Sequence, residues 1–195
     1  MKNILNKVEF HYTFIIISFG LVITGHFVNL IIFTSLIIIH EFGHIIMALL
    51  LSYKIDKVII YPYGGFTKLN TKINTKIEND LLVAISGIIM QYIYFGIIFF
   101  LYSNGIIREY IYNLFFLYHN SMVIFNLLPI YPLDGSKIFN LLLSKYIGFN
   151  LANYITIVIS FITIIVFVIS NSYENNYSIL IIIIIVKYFI IPINF

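Results

Sequence analysis

Six long runs of apolar residues punctuate the chain, at Phe10 to Thr24, Leu30 to Leu51, Leu81 to Tyr102, Ile111 to Leu128, Leu151 to Ser170 and Tyr177 to Phe195. Most approach the roughly 20 residues that an α-helix needs to cross a hydrocarbon core, so the pattern predicts an all-α membrane protein with about six transmembrane helices. The first run is short, and Gly25 with His26 turns it directly into the second, which predicts a tight helical hairpin. Because that first run leads straight into another, with no small-residue cleavage site between them, it is expected to be a mature span rather than a secretory signal.

One stretch has a different period. From Thr67 to Ile77 the odd positions read Thr, Leu, Thr, Ile, Thr, Ile and the even ones Lys, Asn, Lys, Asn, Lys. Strict alternation is the mark of a strand with one apolar and one wet face. Val58 to Tyr61 is also strand-like, and Pro62, Gly64 and Gly65 supply turn residues between the two. A small membrane-surface β-hairpin after the second span is therefore expected. The alternative is a basic loop resting on anionic lipid.

Composition narrows the chemistry. Hydrophobic residues make up 61% of the 195 and charged residues only 10%, against about 25% charged in ordinary soluble domains, which excludes a soluble globular fold. Cysteine is absent, so disulfides, thiol nucleophiles and thiolate metal sites are excluded too, and any metal must be held by the 5 histidines and 8 acidic residues. The net charge of +3 is too small and too scattered for a nucleic-acid binder, and no nucleic acid is expected as a partner. The basic residues sort by topology instead. Lys2, Lys7, Lys54, Lys57, Lys68, Lys72, Lys76, Lys137 and Lys145 fall on one side of the six-span arrangement and only Arg108 on the other. The positive-inside rule then places the N-terminus and the basic loops in the cytoplasm. Lys187, inside the last run, reads as a snorkelling or packed lysine with no function assigned.

Within the second run stands His40-Glu41-Phe42-Gly43-His44. Residues four apart on a helix project about 40° from each other, so both imidazoles can meet one ion while Glu41 stands beside them. Three ionisable groups inside a membrane helix are costly, and they persist where they face one another, water or a ligand. A catalytic zinc normally takes three protein ligands and keeps one position for water, so a third is required. The candidates are His11, His26, His119, Asp134 and the glutamates near span ends, and Asp134 ranks first. It follows Asn126-Leu127-Leu128-Pro129-Ile130-Tyr131-Pro132-Leu133, whose two prolines are expected to break the fourth span before its cytoplasmic end. About 18 helical residues, or 27 Å, bring that break into the cytoplasmic part of the bilayer, and His44 lies at a similar depth, about 10 Å from the same surface. His119 with Asn120 can be read as lining the cleft, but the preferred reading of His119 is a histidine hydrogen-bonded within the bundle, while His11 and His26 are read as interfacial.

The HEFGH and NLLPIYPLDG motifs together resemble the site-2 protease family of intramembrane zinc metalloproteases. The second motif and the six-span layout are particularly similar to the branch typified by stage IV sporulation protein FB. The resemblance implies that His40, His44 and Asp134 bind Zn2+, that Glu41 is the catalytic base, that Asn126 helps position substrate, and that the Gly64-Gly65 stretch engages it. It also implies a membrane-tethered protein substrate such as a pro-sigma factor in sporulation, inhibitory or regulatory membrane partners, and a place in the bacterial cell membrane. The family's third-span motif departs here, reading Ser86-Gly87-Ile88-Ile89-Met90-Gln91 without its proline and with glutamine for asparagine, and no catalytic role is assigned to that segment. Residues 1–195 are expected to form a single transmembrane metalloprotease domain without a C-terminal CBS domain.

The expected activity is hydrolysis of a peptide bond within the bilayer. The alternatives are a small metal or proton transporter using the same His, Glu and Asp groups as a transit site, and a catalytically silent relative that sequesters clients.

Overall fold

The structure, a computed structural model, describes residues 7–61, 64–70 and 76–171. In chain order these form β1 (Val8–Phe10), α1 (Tyr12–Ile23), α2 (Phe27–Leu50), β2 (Lys54–Tyr61), β3 (Gly64–Asn70), α3 (Ile77–Ser103), α4 (Glu109–Leu127), α5 (Asp134–Ile147) and α6 (Phe149–Asn171). The chain divides into two compact units, Met1–Ile124 and Phe125–Phe195.

Among the described residues, three helices are long and apolar enough to cross a membrane: Phe27–Leu50, Ile77–Ser103 and Phe149–Val166. They correspond to the second, third and fifth runs. The first run forms the shorter apolar α1, in which no residue is buried: Ile15, Ile16, Phe19 and Ile23 are each more than 60% exposed, a surface suited to lipid and not to water. The fourth run does form a 19-residue helix, but Glu109, Asn113, His119, Asn120 and Asn126 dilute its apolar character. The sixth run lies outside the described residues.

In the first unit, α2 and α3 pack closely because glycines face the contact. A Cβ on Gly43 would lie 2.5 Å from the Ser86 carbonyl oxygen and 3.0 Å from Gly87 Cα. Without a hydrophobic force between helices in lipid, small residues that let backbones approach are the usual means of packing. The buried positions of α3, namely Val83, Ala84, Ser86, Gly87, Ile88 and Gln91, recur at helical spacing and form one stripe.

The expected hairpin is present, with a third strand. β2 and β3 pair antiparallel from Lys54↔Asn70 to Tyr61↔Gly64, and β1 adds parallel to β2 from Val8↔Val58 to Phe10↔Ile60. Asp56 is an extra residue on β2, between the Ile55↔Leu69 and Lys57↔Lys68 pairs. That bulge moves the buried set from Ile55 to Val58 and Ile60. Lys57 pairs with Glu9 at 2.7 Å, and Lys7 donates to the Ile55 carbonyl, so side chains also tie β1 to β2. Two details differ from the sequence reading. Gly64 and Gly65 belong to β3 itself and not to the turn, and Ile77 opens α3 instead of ending a strand. The hairpin also runs alongside α2: Ile60 packs with Ile32, Leu36 and Ile37 of that helix, well before its C-terminal end.

In the second unit, α4 stops at Leu127, as Pro129 and Pro132 require, and residues 128–133 form a loop. Ser160 of α6 holds that loop, donating to the Pro129 carbonyl (3.0 Å) and accepting from the Tyr131 N–H (3.1 Å). Ile130 and Leu133 fill the space beneath, against Phe125, Leu128 and Ile164. The amphipathic α5 was not expected from the sequence. Its Asn140 donates to Asn153 of α6, which fastens the two helices.

Candidate active site

His40, Glu41 and His44 project from one face of α2, and all three are buried. Each imidazole is held from behind. His44 Nδ1 lies 2.7 Å from the Val83 carbonyl oxygen, which can only accept, so the proton is on Nδ1 and the Nε2 lone pair faces the other way. His40 Nδ1 lies 3.3 Å from Gln91 Oε1. The orientation of that amide follows from its other end, because Gln91 Nε2 donates to the His119 carbonyl at 3.3 Å. His40 Nδ1 is therefore also the donor.

The consequence is a matched pair. The two Nε2 atoms are 3.1 Å apart with both lone pairs turned inward. Such lone pairs repel unless a proton or a cation is shared between them. Two nitrogens on one tetrahedral zinc, at about 2.0–2.1 Å each, stand about 3.3 Å apart. The spacing and the donor chemistry fit such an ion, and backing of the outer nitrogen by a carbonyl or amide is the usual support for a metal-binding histidine.

Glu41 turns to the sheet. The Gly65 N–H donates to Oε1 at 3.2 Å and the Thr67 hydroxyl donates to Oε2 at 3.0 Å. A Cβ on Gly65 would sit 2.2 Å from the Glu41 carboxyl carbon, so only glycine admits the carboxylate this close to the strand. Gly64, one residue earlier, is buried at the start of β3 with φ 144°, a backbone conformation that favours glycine.

Asp134 and Asn126 belong to the second unit, and both are buried. Asp134 is the first residue of α5, and Lys137 Nζ donates to its Oδ1 at 3.1 Å. Gly135 is also constrained: an added Cβ would lie 2.3 Å from the Leu127 carbonyl oxygen, so the chain can enter α5 here only with glycine.

The remaining candidates stand elsewhere. His11 caps α1, its Nδ1 accepting from the Thr13 N–H, and His26 precedes α2 at an exposed position. His119 corrects the expectation of a hydrogen-bonded bundle histidine. Its ring is buried with no hydrogen-bond partner for either nitrogen among the described residues, and it stacks on Phe95 at 4.6 Å. Gln91, in the segment given no role, turns out to be fully buried behind His40. An amide in the middle of an apolar span was the available signal.

Residues 28–109 match the model of Peptidase family M50, a range that includes the HEFGH motif. The chain is 32% identical to stage IV sporulation protein FB of Bacillus subtilis, over 77% of this chain and 52% of that one. It is 31% identical to a zinc metalloprotease of Methanocaldococcus jannaschii, over 73% of this chain and 44% of that protein. Among solved structures it resembles the site-2 protease from Methanocaldococcus jannaschii, with a TM-score of 0.70 and 26% identity, covering 93% of this chain and 87% of that one. The chain belongs to the site-2 protease family. It spans about half the length of the curated relatives it matches. With its apolar helices, this site-2 protease homologue is an integral membrane protein.

Proposed function

We propose that this site-2 protease homologue is an intramembrane zinc metalloendopeptidase that hydrolyses a peptide bond of a membrane-tethered protein. The observation that carries the reading is the pair of inward-turned Nε2 atoms on His40 and His44, with the Glu41 carboxylate beside them on the same helix. His40 and His44 supply two zinc ligands and Asp134 the third, a role supported by its buried carboxylate directly after the proline-broken helix. When bound, zinc supplies Lewis acidity that polarises a scissile carbonyl and eases deprotonation of water near neutral pH. Glu41 takes the proton of the attacking water and passes it to the leaving amine. Asn126, Gly64 and Gly65 are assigned to substrate positioning. A transmembrane helix hides its carbonyls in internal hydrogen bonds, so substrate must unwind locally before it reaches these groups.

The relative's name points to sporulation, and a pro-sigma-type transcription-factor precursor is the proposed substrate, under control by partner membrane proteins. The N-terminus and basic loops are assigned to the cytoplasmic side of a bacterial cell membrane, following the bias of lysines.

The test is cleavage of a membrane-tethered pro-sigma-type reporter by the protein in proteoliposomes. Chelation is expected to stop cleavage and added zinc to restore it, while cleavage that survives full metal removal would end the reading. Asp134→Asn is expected to weaken zinc binding at least about tenfold by competition with a chelating dye, since an amide oxygen is a poorer ligand than a carboxylate. Gln91→Leu removes the acceptor behind His40 and is expected to cost about 10- to 100-fold in zinc affinity in the same titration. Unchanged affinity in the Leu variant would mean that His40 is oriented without that amide.

A further inference from the structure

Both oxygens of Glu41 are engaged by one strand, through two residues with the same facing. Gly65 and Thr67 are two apart on β3, so they present the same side of the strand to α2. Gly65 contributes a backbone N–H and vacant space, and Thr67 contributes a hydroxyl. Neither donor carries a charge. Each oxygen also retains lone-pair capacity after accepting one bond. The pair of contacts defines the plane of the carboxylate relative to the imidazoles of the same helix, which a long glutamate side chain does not hold by itself.

Resting on the protease reading above, we infer that Thr67 is a positioning residue for the reaction, fixing the Glu41 carboxylate in the orientation in which it accepts the proton of water. The strand alternation that marks β3 in the sequence gives Thr67 no distinction from Thr71 or Thr75; its position opposite Glu41 does. The function it serves is preorganisation: the orientation is set when the sheet docks on α2, not when substrate arrives. A loss of the hydroxyl therefore falls on turnover and not on substrate binding.

The experiment compares wild type, Thr67→Val, Thr67→Ala, Thr67→Ser and Glu41→Gln in proteoliposomes, with the tethered reporter varied in density and with zinc content and thermal stability measured on each. Thr67→Val, which keeps the shape, is expected to lower kcat about tenfold or more at unchanged KM and zinc content, and Thr67→Ser to recover most of it. Should Thr67→Val fail to fold, Thr67→Ala carries the same expectation with a smaller side chain. Wild-type kcat per zinc-loaded molecule in the variant lacking the hydroxyl, whatever its thermal stability, would show that Thr67 serves only the fold. Wild-type cleavage by Glu41→Gln would instead overturn the assignment of Glu41 as base, and the inference with it.

Discussion

A Glu41→Gln variant is expected to bind zinc like the wild type and to cleave the tethered reporter at least about a hundredfold more slowly. Glutamine occupies nearly the same volume, and its carbonyl oxygen still accepts from one of the two β3 donors, Gly65 N–H or Thr67 Oγ–H. The α2–β3 contact therefore survives. His40 and His44 keep their supports on Gln91 and Val83, so the zinc ligands are undisturbed. What is lost is a group able to take a proton, and positioned acid–base catalysis contributes about 10²–10⁴-fold. Metal analysis alongside the cleavage assay separates this outcome from damage to the site. If neither protein cleaves but wild type moves metal ions across the liposome membrane, a transit site is the better account of the same residues.

A methyl group at position 87 is expected to be as damaging as loss of the base, by a different route. A Cβ there would lie 2.4 Å from His44 Nε2, 2.7 Å from His44 Cε1 and 2.8 Å from His40 Cε1. Neither ring can retreat freely, because His44 is held at 2.7 Å by the Val83 carbonyl and His40 by Gln91. Gly87→Ala must therefore break one of those supports or push α2 and α3 apart, and the helices already meet through Gly43. The expected result is loss of stoichiometric zinc and of cleavage in a protein that still inserts in the membrane. Gly96→Ala is the control, since an added methyl there has nothing within 4 Å in the same helix. Full zinc content in Gly87→Ala would mean that the rings bind metal in another arrangement.

Legibility in the sequence followed the range of the interaction. The HEFGH motif could be read directly, because a spacing of four places two rings together on any helix. The α4 break was equally accessible, since proline acts on its own turn. The β2–β3 hairpin was partly legible from alternation, but its limits were not: the alternation runs on to Ile77, which the structure places in α3. β1 could not be found, as three residues at the edge of an apolar run carry no pattern, and their pairing with β2 joins positions about fifty residues apart. α5 escaped for want of length and apolar content beside the spans around it.

By itself the sequence determined the class of protein and its chemistry: apolar helices of membrane length, no thiols, and two histidines with a glutamate on one helical turn. These are properties of composition and local spacing, which a chain carries whatever it packs against. Tertiary structure alone decided how those groups are supported. Gln91 behind His40, Val83 behind His44, and Gly65 with Thr67 on Glu41 are all non-local contacts. Such partners depend on which faces of α2, α3 and β3 meet, and in an apolar setting each buried polar group must find its partner there, because water does not supply one.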